Sequence, residues 1–256
     1  ATARHNGGVG QMMAAASKHR LIWAAMLLVC ASPLVVWLAS VNDPMAYVRL
    51  SGLPPGQQLY LIAKLAGLLA FCLFWLQCML ALARYAPVSL RFPVSDVRLH
   101  RRLGIATGLL ILAHVAPFVV AASLRTDHVA WDLLIPNFNH GYYRLNVGLG
   151  ALAFWLVCLT VFAGWRTARG QRRWKAVHLL WPVVFGLAFL HAFAIGTESR
   201  YGLMRYVVIF IAISLMLAGI ARLLRTRKHG AAHPTAHSTV LHPLPGVARS
   251  KGSSHV

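Results

Sequence analysis

Six continuous apolar runs dominate the chain, and each is long enough to cross a lipid bilayer. They are Leu21–Val41, Leu59–Ala83, Leu103–Leu124, Leu145–Trp165, Ala176–Gly196 and Leu203–Leu224, and a spanning helix needs about 20 mostly apolar residues. Within lipid a backbone must satisfy its own polar groups, which leaves helices or closed barrels. The runs do not alternate apolar with polar, so a barrel is excluded. Charged residues make up only 12% of the chain, against roughly 25% in soluble domains, which argues against a water-soluble enzyme and against disorder. The expected fold is an all-α, six-helix transmembrane bundle. The first run follows Lys18-His19-Arg20 and is too long for the core of a signal peptide. Asn42-Asp43-Pro44 after it reads as a turn rather than a cleavage site, so a retained helix is expected.

The charge balance sets the orientation. There are 25 Lys and Arg against 5 Asp and Glu. The basic clusters are separated by apolar runs, which suits membrane flanks and not nucleic acid. They gather at the N-terminal segment (Arg4, Lys18, Arg20), the second loop (Arg84 to Arg102), the fourth loop (Arg166 to Lys175) and the tail (Arg222 to Lys251). The opposite loops carry only Arg49, Arg125, Arg144, Arg200 and Arg205, together with most of the acids. The positive-inside rule then places both termini in the cytoplasm of a multi-pass protein of the inner (cell) membrane. Residues 1–19 form an N-terminal cytoplasmic segment, 20–225 the transmembrane domain, and 226–256 a Pro-, Ser- and His-containing tail expected to be disordered. The four cysteines lie in apolar runs without a CxxC pair and give neither a disulfide framework nor a zinc site.

Four histidines fall within the spans or at a span entrance: His100, just before the third run, and His114 on it, with His178 and His191 on the fifth. Ionisable side chains at membrane depth are costly and usually functional. The pairs are fourteen and thirteen residues apart, roughly 21 and 20 Å along a helix axis. The two spans run in the same direction, so equal offsets bring His100 level with His178 and His114 level with His191. Two neutral imidazoles facing each other across a gap are the axial ligands of a b-type haem, and two such haems would bridge the bilayer. One misfit stands against this. Fourteen residues nearly return to the starting helix face, whereas thirteen miss it by roughly 140°; Pro182 offers a kink or a π-bulge to restore the phase. Gly104 and Gly108 have two readings, close helix packing or room for a flat macrocycle.

The segments LHRRLGIATGLLILAHVAPF and VHLLWPVVFGLAFLHAF resemble the ferric reductase-like transmembrane domain, the membrane cytochrome b of ferric reductases and NADPH oxidases. The shared features are an H-R-x-L-G start to the third span, a histidine fourteen residues on, and a second pair two spans later. The chain also resembles the haem-binding membrane subunit of the periplasmic methionine sulfoxide reductase system. The resemblance spans roughly residues 20–225. It implies two haem b held by His100, His114, His178 and His191, with electrons flowing outward. The chain ends soon after its last span, so no flavin or nicotinamide domain is expected within it. The implied role is the membrane electron-transfer subunit of an oxidoreductase. Its donor would be a cytoplasmic flavin reductase, with flavin on that partner, or quinol. The outer acceptor would be ferric iron, oxygen or a periplasmic redox enzyme.

Several polar residues carry two readings. Arg101 and Arg102, beside His100, serve either as membrane anchors or as partners of the inner haem's propionates; Arg125 and Arg144 are candidates for the outer one. Asp127, His128, Asp132 and His140 read as solvated loop polarity before a metal site, and His229, His233, His237 and His242 as tail. The alternative function is a haem-free transporter relaying protons through the intramembrane histidines. Against it, spans one, four and six carry no ionisable residue in their cores, which leaves Lys64 as the one other candidate.

Overall fold

With no solvent to compete for backbone hydrogen bonds, apolar runs of this length close on themselves as helices. The computed structural model describes residues 3–41, 52–83, 97–126, 128–139 and 141–231, and these are helical apart from short connections. The elements are α1 (Ala3–Val41), α2 (Gln57–Ala83), α3 (Val97–Ser123), α4 (Gly141–Ala168), α5 (Lys175–His178), α6 (Trp181–Ile195), α7 (Thr197–Arg200) and α8 (Gly202–Ala231). Short 3-10 turns cover Trp131–Leu134 and Arg172–Trp174. Six segments are long and apolar enough to span a membrane, and α5 and α6 together make the fifth. The helices run past the apolar runs into flanking polar residues, and α1 continues back to Ala3. Asp127, His140, His233, His237 and His242 lie outside the described residues, as do Arg49, Arg84 and Arg91.

The bundle is organised around α2. Cys72, Trp75 and Leu76 of α2 pack against Met204, Val208, Ile211 and Leu215 of α8. The buried Trp75 indole donates to Ser214 Oγ at 2.9 Å, which satisfies the one polar atom that its burial would otherwise strand. Most large exposed side chains, such as Leu27, Leu109, Val161 and Leu217, are apolar and sit on outward faces, as a lipid-facing surface requires. Two helix pairs carry the site. Helix α3 lies along α2, and α6 lies along α4, while α3 and α6 hardly touch each other.

The fifth span is broken. Pro182 has no N–H for the carbonyl four residues back, and that carbonyl belongs to His178. Helix α5 therefore stops at His178, Leu179 and Leu180 form a tight turn, and α6 restarts with Pro182 in its first turn. The expected kink or π-bulge takes the form of a two-residue, 3-10-like turn at Leu179 and Leu180, which shifts the phase between His178 and His191. A glycine sets up the approach to it. Gly170 follows α4 with φ +85°, which lets Gln171 N–H reach Arg166 O at 3.2 Å and Gly170 N–H reach Thr167 O at 3.0 Å. This αL termination turns the chain so that His178 comes back alongside the last turns of α4.

Candidate functional site

The four histidines form two pairs. His100 of α3 and His178 of α5 have ring centroids 6.3 Å apart with planes at 87°. His114 of α3 and His191 of α6 stand 6.2 Å apart at 74°. The first pair lies at the basic end of the bundle, where Arg98, Arg101 and Arg102 enter α3 and Arg166 and Arg169 leave α4. The second lies toward the far end.

Three of the rings rest on backbone carbonyls of the neighbouring helix. His114 Nδ1 donates to Ala63 O at 2.7 Å, His178 Nδ1 to Thr160 O at 3.0 Å, and His191 Nδ1 to Asn146 O at 2.8 Å. A carbonyl oxygen can only accept, so each of these imidazoles carries its proton on Nδ1 and leaves the Nε2 lone pair available to a metal. Interhelical hydrogen bonds inside membranes average only about 0.6 kcal/mol. Their main effect is therefore to fix tautomer and ring orientation, and bundle stability rests on packing. His100 differs, with its Nε2 3.5 Å from the Gln77 carboxamide of α2.

A rule links these carbonyls to glycines. In a helix the side chain at i+4 sits over the carbonyl of residue i, and here i+4 is glycine each time: Gly67 after Ala63, Gly164 after Thr160, Gly150 after Asn146. A Cβ on Gly67 would lie 2.7 Å from His114 Nδ1, and one on Gly164 would lie 2.9 Å from His178 Nδ1. At Gly150 the overlap with His191 is deeper still. Sequence reasoning missed all three glycines, because it looked for space on the helices that carry the histidines. A signal was present: Gly150 and Gly164 are fourteen residues apart on α4, the same offset as His100 and His114. Gly104 and Gly108 divide between their two readings. A Cβ on Gly104 would meet Gln77 Nε2 at 3.1 Å, which is close packing, whereas Gly108 faces open space.

A cavity of about 220 Å³ opens on the far-end pair. His114 and His191 line it with Phe71, Phe118 and Phe154, and Lys64 and Glu198 form an ion pair within its wall. Arg125 does not line it; its guanidinium is held by Pro55 O and Gln57 Oε1 and lies over the Tyr60 ring. Arg144 is 3.8 Å from Asp132 on the exposed loop. Arg101 and Arg102 are exposed next to His100. Among the described residues no three His, Cys, Asp or Glu side chains converge on a metal site.

Residues 66–189 match the family described as ferric reductase like transmembrane component. That stretch, just under half of the chain, carries a ferric reductase-like transmembrane component. The matched stretch includes His100, His114, His178 and all three cradle glycines, and stops two residues short of His191. No curated protein and no solved structure matches the chain. A ferric reductase-like domain is a membrane electron-transfer component, and such domains generally bind haem.

The residues of this ferric reductase-like domain fit that group. A metal bonded to two imidazole nitrogens at about 2 Å each separates the ring centroids by about 6 Å, and the observed separations are 6.3 and 6.2 Å. Helices α3 and α6 stand apart where a flat macrocycle would lie, and Gly108 and Gly186 both border open space. Thr107, seven residues from either histidine on α3, is buried with its hydroxyl unpartnered.

Proposed function

We propose that the chain is a di-haem b-type electron-transfer subunit, with His100 and His178 holding one haem and His114 and His191 the other. The observation that carries this reading is the pairing of four imidazoles at two levels of the bundle, with ring centroids 6.3 and 6.2 Å apart, a gap that one metal ion would bridge. Haem iron supplies reversible one-electron chemistry when bound between two histidines. The chain supplies orientation: Ala63, Asn146 and Thr160 carbonyls fix three tautomers, and Gly67, Gly150 and Gly164 let the rings seat. Arg101 and Arg102 are the side chains proposed to meet the propionates at the basic end.

The basic end faces the cytoplasm in this reading, with both termini on that side of the inner membrane and residues 20–225 forming the electron-transfer domain. Electrons enter there from a flavoprotein or quinol, since Lys- and Arg-rich surfaces attract acidic proteins and anionic flavins. They leave at the far end to ferric iron, oxygen or a periplasmic redox enzyme. Sealed vesicles of known orientation test the direction. With reductant on the basic side and a membrane-impermeant ferric chelate on the other, the chelate is expected to be reduced. An untouched chelate, with both haems present and reducible, would show that the haems do not conduct across the bilayer.

A further inference from the structure

The connector between α6 and α8 is built to hold a carboxylate in the far-end cavity. Ser199 is fully buried, and its hydroxyl donates to the carbonyls of Ala192 and Gly196. A Cβ on Gly196 would overlap the Ser199 hydroxyl, so that turn closes only with glycine. Closed in this way, it turns Thr197 and Glu198 back toward α2. There Lys64 Nζ donates to Thr197 Oγ1 at 2.9 Å and pairs with Glu198 Oε1, while Thr197 Oγ1 donates to Glu198 Oε2 at 2.9 Å. The two charged side chains are 19% and 12% exposed. Both line the same cavity as His114 and His191, and among the described residues Glu198 is the one acid that lines it.

The surroundings define what this pair can do. Lys64 lies over the Tyr60 ring, with Arg125 on the same ring, and the pair shares its cavity with His114 from α3, Tyr143 from α4 and His191 from α6. Lys64 and Glu198 together are neutral. An electron taken up by a haem held between the two histidines would lower the charge of the site by one, which favours the protonated form of a carboxyl group nearby. Lys64 cannot respond, because it is already a cation. Glu198 can, because its protonation leaves Lys64 as a net positive charge beside the added electron.

We propose that Glu198 takes up a proton as the far-end site takes up an electron, with Lys64 and Thr197 holding the carboxylate in position. This rests on the far-end pair carrying a haem. One electron enters from the reduced flavin or quinol at the basic end, and one proton from the water bordering the far end forms an O–H bond on Glu198. When the electron passes to the acceptor, that O–H bond breaks and the proton returns to the same water. Electron transfer through the far end is thereby linked to pH on that side.

Potentiometric titration of the purified full chain from about pH 5 to pH 9 tests the linkage. The far-end component's midpoint is expected to fall with rising pH by up to about 59 mV per unit, the tenfold value for one electron. Glu198→Gln should flatten that slope and leave the midpoint more positive at the alkaline end, with the basic-end component unmoved. A wild-type midpoint independent of pH, or a Glu198→Gln variant that keeps both haem and slope, overturns the proposal. Should Glu198→Gln not retain haem, Glu198→Asp carries the test, because the pH range of the slope must move with the displaced carboxyl. An unmoved range overturns it equally. Absence of any far-end haem in the unmodified protein would instead overturn the haem reading beneath it.

Discussion

Replacing His191 with Ala is expected to remove the far-end haem and leave the basic-end one, lowering haem content from about two per chain to about one. A ferric centre loses half its protein ligation with one imidazole, and Lys64 and Glu198, the charged side chains of the cavity, are engaged with each other. His114→Ala should give the same phenotype, because its ring faces His191 at 6.2 Å. His100→Ala and His178→Ala should remove the other component, since those rings face each other at 6.3 Å. Redox titration of the four variants sorts them into two groups of two. The pairing is wrong if His100→Ala and His191→Ala lose the same component.

Gly150→Ala is the second large effect, and its direction opposes simple helix propensity. Alanine is favoured over glycine inside a helix by about 1 kcal/mol, so propensity alone predicts a stabler α4. The added methyl, however, would occupy the space of the His191 ring where Nδ1 meets Asn146 O. Backbone and ring cannot both stay, and the ring is the part free to move. The far-end haem should be lost or bound at least tenfold more weakly, while secondary structure persists. Gly219→Ala is the control: it sits within α8 with open space around it, and should leave both components intact. Equal haem retention in Gly150→Ala and Gly219→Ala would remove the glycine cradle from the account.

The contrast between these glycines shows what the sequence could and could not convey. Span number follows from apolar length alone, because lipid leaves the backbone no other option. The histidine pairs were legible because His100, His114, His178 and His191 lie at near-equal offsets on helices running the same way. The phase conflict in the fifth span was also visible, but its resolution was not. Pro182 disrupts the helix at His178, yet whether a chain kinks, bulges or breaks there depends on the Leu179–Leu180 turn and on packing against α4. Gly67, Gly150 and Gly164 act across a helix interface, and nothing local marks which glycine faces which ring. Lys64 stood out as a charge within a span, but its partners Thr197 and Glu198 come from a connector more than 130 residues away. Arg125 was expected to serve the outer site, and instead it ties the start of α2 to the end of α3 through Pro55 and Gln57.

Haem content of the pure protein tests the central claim most directly. Pyridine haemochrome analysis of the full chain, normalised to protein by amino-acid analysis, should return about two haem b per polypeptide. Both should be low-spin, because each iron would have two imidazoles and no open position. A value near zero, in protein that is folded and extracted from membranes, would contradict the account outright.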